Sequence, residues 1–343
     1  MAKRVALALG SGGARGYAHI GVINALHDRG YEVVGIAGSS MGALVGGVYA
    51  AGSLDEFTEW AQTLTQRTML RLLDPSISAA GVLRAGKILD AVRDMLGDAT
   101  IEKLPIPFTA VATDLIAGKS VWLQRGPVDD AIRASIAIPG IVAPHLLDGR
   151  LLADGGILDP LPMAPIAAVN ADLTIAVSLS GTDTDLRVDG SVDYEMTPTR
   201  ERLNRLLRST SALLETPTAR SVLSRFGTGA EIDSAAEELD NAVLATAELD
   251  IDVDDPISDT SREAPAPKLG SFAVMNRTIE IAQAALARHQ LAAYPPDLLI
   301  EIPRTACRSL DFHRAAEVIK LGHELAAQAL DSLTIDSADL SDD

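Results

Sequence analysis

The chain is poor in basic residues and in aromatic residues. Its 343 residues include 29 Lys and Arg against 47 Asp and Glu, which gives a formal net charge of −18. Two tryptophans, five tyrosines and five phenylalanines are its only large aromatic side chains. A chain of this charge repels phosphate backbones, and it offers few rings on which bases could stack. Nucleic acid is therefore not expected as a partner.

Cysteine and long apolar runs are also scarce. The single cysteine, Cys307, cannot form a disulfide within the chain, and the N-terminal sequence becomes rich in glycine before a signal peptide could form. No window offers the roughly 18 strongly apolar, uncharged residues that a transmembrane helix needs. We expect a cytoplasmic chain, for which peripheral contact with the inner face of the membrane is left open.

Strand and helix patterns alternate along the chain. An apolar run at 4–9 and a β-branched run at 32–36 each precede a glycine-rich turn and then a helix pattern. Helix patterns follow at 54–70 and 86–96, and further strand patterns lie at 108–113, 120–123 and 173–179. This alternation predicts an α/β fold with three αβα layers and a largely parallel central sheet.

Charge and composition divide the chain into segments. Residues 181–270 carry 19 acidic and nine basic side chains and include DVDDPISDTSREAPAP, which is typical of a solvated linker. We predict a core at 1–180, an acidic insertion at 181–270 that is partly helical and partly flexible, a helix–strand–helix at 271–331 that completes the core, and an acidic tail at 332–343. A basic stretch at 200–225 is compatible with docking on anionic lipid, although a lid or a helix that covers the core is the stronger expectation.

One short motif could hold a nucleophile. Residues 38–42, GSSMG, match G-x-S-x-G, in which a tight turn between strand and helix presents a serine to substrate. Ser40 is the candidate, and Ser39 is a neighbour without a role. The N-terminus of the following helix favours negative charge that develops near Ser40. The alternative is a glycine-rich turn without chemistry.

A second glycine-rich loop, GSGGARG at 10–16, lies between a strand pattern and a helix pattern. Its backbone N–H groups could hold a dinucleotide pyrophosphate, but Arg15 stands where G-x-G-x-x-G requires its third glycine. They could instead hold the oxyanion of an acyl-transfer intermediate. Because the carboxyl ends of adjacent parallel strands lie side by side, the second interpretation brings Gly12 close to Ser40.

A nucleophilic serine needs a base, and the residues offer more than one. Among six histidines, His145 in APHLLDG is the best imidazole candidate, and His19 lies one helical turn beyond the glycine loop. Asp154, which follows the β-like run GRLLA and precedes two glycines, offers a carboxylate instead. A lone aspartate in such a turn more often serves only to form the turn, through hydrogen bonds to nearby backbone.

Three motifs in this order resemble the patatin-like phospholipases, and most closely the bacterial branch of that family. They are LGSGGARGYAHIGV, GSSMG, and AIRASIAIPGIVAP leading into DGRLLADGGILDPLP. The resemblance covers about 1–180, with a weaker likeness at 271–331. It implies a patatin-like fold and a serine–aspartate dyad that works without histidine.

The resemblance assigns a role to each matching residue. Ser40 is the implied nucleophile, Asp154 its general base, and the N–H groups around Gly12, Gly13 and Ala14 the oxyanion hole. Arg15 occupies the family's basic position, and the glycines that support the motifs are Gly10, Gly38, Gly42, Gly155 and Gly156. For Asp154 to accept a proton at neutral pH, burial would have to raise its pKa above the ordinary ~3.9.

The prediction is therefore a hydrolase of lipid acyl esters in lipid degradation, with a phospholipid or lysophospholipid as substrate. The resemblance implies an acyl-enzyme intermediate, and neither a metal nor an organic cofactor. The alternative is a non-catalytic, partner-binding or regulatory protein on the same scaffold, whose acidic insertion would be the binding surface. The sequence does not identify protein partners.

Overall fold

A computed structural model describes residues 2–66, 68, 86–139, 141–181 and 271–339. The chain divides into two compact units, Met1–Leu186 with Ile279–Asp343, and Arg187–Thr278. Of the second unit only residues 271–278 are described, and they are helical. The predictions for 182–270, including the basic stretch at 200–225, lie outside the described residues.

Eight strands of the first unit form one sheet. They are β1 (Arg4–Leu9), β2 (Glu32–Ser39), β3 (Phe108–Asp114), β4 (Lys119–Leu123), β5 (His145–Leu147), β6 (Arg150–Asp154), β7 (Leu173–Gly181) and β8 (Leu298–Pro303). Their order is β5-β6-β3-β2-β1-β7-β8, and β4 pairs with β3. Pairs among β3, β2, β1, β7 and β8 are parallel, whereas β4, β5 and β6 pair antiparallel. The predicted α/β fold with a mostly parallel sheet is confirmed.

Seven α-helices of the described residues accompany the sheet. They are α1 (Ala18–Asp28), α2 (Met41–Ala50), α3 (Leu54–Thr63), α4 (Gly86–Leu96), α5 (Val128–Ser135), α6 (Ser271–Ala293) and α7 (Ala315–Asp339). Helix α3 ends at Thr63, residues 66 and 68 of the predicted helix at 54–70 are again helical, and 67, 69 and 70 lie outside the described residues. Helix α7 continues into the segment predicted as a tail. No helix within the described ranges combines the length and the apolar character that crossing a bilayer requires.

The sheet is buried on both faces because the central strands carry apolar residues at nearly every position. In β1, Val5, Leu7 and Leu9 point into the larger core, which α1, α2 and α7 cover. The alternate residues, Ala6 and Ala8, point into a smaller cluster on the other face. Helices therefore flank the sheet, and its carboxyl edge is free to hold side chains that follow the strands.

The C-terminal segment contributes to this core. Strand β8 pairs in parallel with β7, and α7 packs against α1. Ile300, Ile302 and Cys307 are buried in the larger core. The residues after 278 thus supply one edge of the sheet and a helix that covers it.

Candidate active site

Ser40 occupies the sharp turn between β2 and α2. Strand β2 ends at Ser39 and α2 begins at Met41, and Ser40 has φ 56° and ψ −123°. A positive φ is rare for a residue with a side chain and is found where the surrounding structure imposes it. This strained conformation matches the turn that the G-x-S-x-G motif predicts.

The glycines around Ser40 are required by close backbone approach. A Cβ atom at Gly42 would overlap the carbonyl oxygen of Leu9, and one at Gly38 would overlap the backbone of Gly42. The first turn of α2 therefore lies directly against the end of β1, where the glycine loop begins. This packing brings two of the three motifs together.

Asp154 lies beside Ser40 and accepts a hydrogen bond from its hydroxyl group. Ser40 Oγ donates to Asp154 Oδ2 at 2.6 Å, and the Gly156 N–H donates to Asp154 Oδ1 at 2.7 Å. Thr113 Oγ1 donates to the Asp154 carbonyl at 2.9 Å. Both carboxylate oxygens are thus engaged, and the backbone that carries them is anchored to β3.

Burial changes the chemistry of this carboxylate. Ser40 is 1% exposed and Asp154 3%. Desolvation raises the pKa of Asp154 from 3.8 to about 6, against the opposing effect of the hydrogen bonds from Ser40 and Gly156. Asp154 is therefore a stronger proton acceptor than an ordinary aspartate, as the dyad chemistry requires.

Ser135 holds the turn in place, although no separate signal in the sequence identified it. Ser40 N–H donates to Ser135 Oγ at 2.9 Å, and Ser135 Oγ donates to the Val111 carbonyl at 2.6 Å. Ser135 is fully buried at the end of α5. Its position within AIRASIAIPG, part of the matching motif, was the only available indication.

The turn after Asp154 lies against the glycine loop. A Cβ atom at Gly156 would lie 2.5 Å from Ser11 Oγ, and one at Gly155 would overlap the Val111 carbonyl. The third motif therefore meets the first, and all three converge at the carboxyl edge of β1, β2 and β3.

Within the glycine loop, several backbone N–H groups are already engaged. Gly10 N–H donates to the Val177 carbonyl at 3.0 Å, Ser11 N–H to Pro160 at 2.8 Å, and Ala14 N–H to Ser309 at 2.8 Å. Ala14, expected among the oxyanion donors, is thus committed elsewhere in this conformation. Gly12 and Gly13 donate to no group in the part of the chain that the structure describes. Gly13 has φ 58°, which suits glycine.

Two side chains near the glycine loop are held by polar contacts within the fold. His19 is completely buried, and its Nε2 lies 2.9 Å from the Gly10 carbonyl. Burial lowers the pKa of His19 to about 4, so the ring is neutral at physiological pH and donates to that carbonyl. Arg15 is 7% exposed and pairs with Glu280 at 3.2 Å.

The remaining histidines do not approach Ser40. Nε2 of His145 lies 3.3 Å from Asp130 Oδ1, and burial, followed by the charge of Arg133, lowers its pKa. His27 contacts Tyr49 and His323 contacts Asp28, while His289 and His313 are exposed. In the described ranges no group of three or more His, Cys, Asp and Glu side chains is placed to hold a metal ion.

Comparisons with known proteins identify the relatives of this chain. The family described as patatin-like phospholipase matches residues 7–167. An uncharacterised NTE family protein of Mycobacterium tuberculosis is 66% identical over 339 residues, which cover 97% of this chain and 93% of that protein. Neuropathy target esterase sws of Drosophila melanogaster is 32% identical over 190 residues, or 53% of this chain and 13% of that protein.

Among solved structures, VipD from Legionella pneumophila aligns with a TM-score of 0.41 and 16% identity, over 96% of this chain and 67% of that chain. The similarity to the mycobacterial protein is the stronger evidence of family membership, because it extends over nearly the whole of both sequences. With two thirds of the aligned positions identical to an NTE family protein and a family match that includes all three motifs, the chain belongs to the patatin-like phospholipase family.

Proposed function

We propose that this protein hydrolyses acyl esters of lipids, with phospholipid or lysophospholipid as its substrate class, through a Ser40–Asp154 dyad. The observation that carries the proposal is the 2.6 Å hydrogen bond between Ser40 Oγ and Asp154 Oδ2, formed by a carboxylate whose pKa is raised to about 6. The names of its relatives, which include a phospholipase domain and an esterase, support lipid esters as the substrate class.

In the acylation step, Ser40 Oγ attacks the ester carbonyl carbon while Asp154 Oδ2 takes the hydroxyl proton. The tetrahedral oxyanion accepts hydrogen bonds from the N–H groups of Gly12 and Gly13, and the N-terminus of α2 adds a favourable dipole. The intermediate then collapses. The alcohol leaves with the proton that Asp154 held, and the acyl group remains on Ser40.

In the deacylation step, Asp154 accepts a proton from water as the water oxygen attacks the acyl carbon. Collapse of the second intermediate returns the proton to Ser40 Oγ and releases the fatty acid. One carboxylate thus serves both half-reactions, and it must be ionised at the start of each. His19 and His145 take no part, because neither contacts Ser40 or Asp154 among the described residues.

Hydrolysis of lysophosphatidylcholine and phosphatidylcholine by wild type, Ser40→Ala and Ser39→Ala tests this proposal. We expect release of fatty acid by wild type and by Ser39→Ala, and none by Ser40→Ala. The Ser39 hydroxyl is buried and has no hydrogen-bond partner among the described residues, which makes it a matched control. Equal release by the two variants would contradict the assignment, and a correctly folded wild type that cleaves no ester would favour the non-catalytic alternative.

A further inference from the structure

Two hairpin tips expose aliphatic side chains beside the candidate active site. The β3–β4 turn presents Leu115 and Ile116, which are 42% and 82% exposed, and the β5–β6 hairpin presents Leu146, which is 67% exposed. Together with exposed Lys119 and Arg150, these residues are called the hairpin-tip surface. Contiguous exposed apolar side chains with polar neighbours often mark an interaction site.

The backbone of the two tips is fixed by hydrogen bonds and by turn geometry. Asp114 Oδ1 accepts the N–H groups of Ile116 and Ala117, both at 2.9 Å, and the Gly118 N–H donates to the Asp114 carbonyl at 2.9 Å. In the second hairpin, Asp148 and Gly149 both have positive φ, as a tight two-residue turn requires. The exposure of Ile116 and Leu146 is therefore imposed by the folded backbone.

Both exposed leucines adjoin Leu151 of β6. Leu115 N–H donates to the Leu151 carbonyl at 2.9 Å, and Leu151 is the cross-strand partner of Leu146. Opposite residues of an antiparallel pair share a face of the sheet. Half-buried Leu151 and Leu146 thus share one face of the β5–β6 hairpin, and the backbone of Leu115 is hydrogen-bonded beside them at the β3–β4 turn.

The hairpin-tip surface lies at the edge of the sheet that carries the dyad. Strand β2 ends where Ser39 pairs with Val111, whereas β3 continues to Asp114. At about 3.3 Å per residue, the tip rises roughly 10 Å beyond the level of Ser39. Strand β6 then runs back from Arg150 to Asp154, so a single strand connects the tip to the general base.

The charges at the tips differ in sign from the chain as a whole. Lys119 and Arg150 are exposed at the two tips, where their strand partners Asp114 and Leu147 place them on the face opposite to Leu146 and Leu151. Asp148 is the one acidic side chain in the adjoining turns, whereas the whole chain carries −18. Long basic side chains beside apolar ones suit a lipid interface, where their stems lie among the acyl chains and their charges reach the phosphates. A stable protein interface needs about 800 Å² from each partner, and three partly exposed aliphatic side chains offer much less.

We infer that the hairpin-tip surface docks the protein on a lipid surface, with Ile116 and Leu146 inserted among the acyl chains and Lys119 and Arg150 at the headgroups. This inference rests on the proposed function for its choice of partner. Docking in this orientation brings the dyad edge of the sheet toward the layer that contains the ester. The inference therefore makes aggregated lipid the substrate and the two hairpin tips the part of the protein that contacts it.

Binding and catalysis can be measured separately. Binding is followed by sedimentation with vesicles of phosphatidylcholine and phosphatidylglycerol, in a Ser40→Ala background that cannot consume the lipid. We expect the double substitution Ile116→Ser with Leu146→Ser to weaken vesicle binding by roughly tenfold to a hundredfold, the loss expected when two aliphatic anchors are removed. The matched control is Tyr294→Ser, which removes a side chain of 43% exposure just before β8, at the opposite edge of the sheet, and should bind as before.

Catalysis is compared in the Ser40-intact proteins. With a short-chain ester dissolved as monomers, the tip variant should retain the wild-type rate, and with vesicles its rate should fall in proportion to its binding. Unchanged vesicle binding by the tip variant would overturn the inference, as would a wild type that fails to bind vesicles or one that self-associates through these side chains. A wild type that binds vesicles but cleaves no ester would contradict the proposed function alone.

A second measurement reports insertion directly. The native Cys307 is buried, so Ile116→Cys can be labelled selectively with an environment-sensitive fluorophore. We expect a blue shift on addition of vesicles, and no shift for the same label placed by Tyr294→Cys. A label at position 116 that remains in water while the protein is vesicle-bound would show that another surface makes the contact.

Discussion

Two buried carboxyl groups five positions apart have different surroundings. Burial raises the pKa of both Asp154 and Asp159 to about 6. Asp154 accepts hydrogen bonds from Ser40 and Gly156, whereas Asp159 Oδ1 has no partner among the described residues. Because each folded-state pKa lies above the unfolded value, the stability that each group contributes is present below pH ~3.9 and is lost as the pH rises through about 6. At neutral pH both charges destabilise the fold.

Replacement of Asp154 by Asn should therefore separate stability from activity. We expect Asp154→Asn to lower ester hydrolysis by about 10²- to 10⁴-fold, the usual contribution of a general base. The same change should raise the free energy of unfolding at neutral pH by about 1–3 kcal/mol, since it removes a buried charge. Denaturant titrations and hydrolysis rates check the two effects.

Asp159→Asn is the matched control, because it removes a similar buried charge that contacts no catalytic group. It should be stabilising at neutral pH and should hydrolyse esters as wild type does. In both variants the gain in stability should shrink as the pH falls toward the unfolded pKa. Loss of stability in Asp154→Asn at neutral pH would contradict the desolvation argument.

Ser135 contacts Ser40 through the backbone N–H of Ser40, and we expect it to position the proposed nucleophile without contacting substrate. Ser135→Ala leaves Ser40 N–H without its acceptor, which should cost about 1–3 kcal/mol of stability and allow Ser40 to leave its productive position. We expect kcat to fall by about tenfold to a hundredfold while KM changes little. Ser39→Ala, which removes a buried hydroxyl without a partner, should show neither effect. A rise in KM alone would assign Ser135 to substrate binding instead.

The two residues of the proposed dyad could be singled out from the sequence because each lies in a short motif. Ser40 follows a strand within GSSMG, and Asp154 precedes two glycines. Ser135 could not be assigned from sequence, because its role depends on the orientation of α5 against β2 and β3. The hydrogen bond from Ala14 N–H to the Ser309 carbonyl could not be predicted either, since the two residues lie far apart along the chain. Local patterns identify turns, but not the long-range partners of those turns.

At the scale of elements, the site depends on how closely α2 approaches β1 and on how far β3 extends beyond β2. Gly42 allows the first contact, and the upper half of β3 pairs with β6, where Ala112 is opposite Asp154. Strand β1 and helix α4 begin and end where their periodicity predicted. Strand β5 was not predicted, because a three-residue edge strand has too little pattern to be detected.

Two glycines of α2 distinguish backbone contact from side-chain contact. Gly42→Ala places a methyl group against the Leu9 carbonyl, whereas at Gly46 the nearest atoms belong to the side chains of Ile36 and Leu9. We expect Gly42→Ala to cost about 3 kcal/mol or more and to abolish activity. Gly46→Ala gains helix propensity and should cost much less. Thermal unfolding and hydrolysis rates test this, and equal losses in the two variants would contradict the packing.

At the scale of the whole molecule, the C-terminal segment contacts the glycine loop of the candidate site and extends the sheet. Ser309 accepts the Ala14 N–H, Glu280 pairs with Arg15, and β8 extends the sheet beside β7. Cys307, between these elements, is 3% exposed, and burial raises the pKa of its thiol to about 11. The glycine loop is thus held in part by residues that follow position 279 in the chain.

The reactivity of Cys307 reports on this association, because it is the chain's single cysteine. In the folded protein a thiol reagent should modify it at least about a hundredfold more slowly than in denaturant, since the thiol is both buried and protonated. Arg15→Met, which removes hydrogen bonds to Arg304, Glu280 and Ser309 in the C-terminal segment, should accelerate modification. The rate is followed by mass spectrometry, and immediate reaction in the native wild type would show that the segment does not cover the core as described.

The most direct test of the dyad is the pH dependence of phosphonylation by a fluorophosphonate, with the modified residue identified by mass spectrometry. The account predicts an adduct on Ser40 whose rate of formation rises with pH through one titration at about 6, is lost in Asp154→Asn and is unchanged in His145→Ala. An adduct on another residue, a rate that is flat across that titration, or a rate that depends on His145 and not on Asp154 would contradict it.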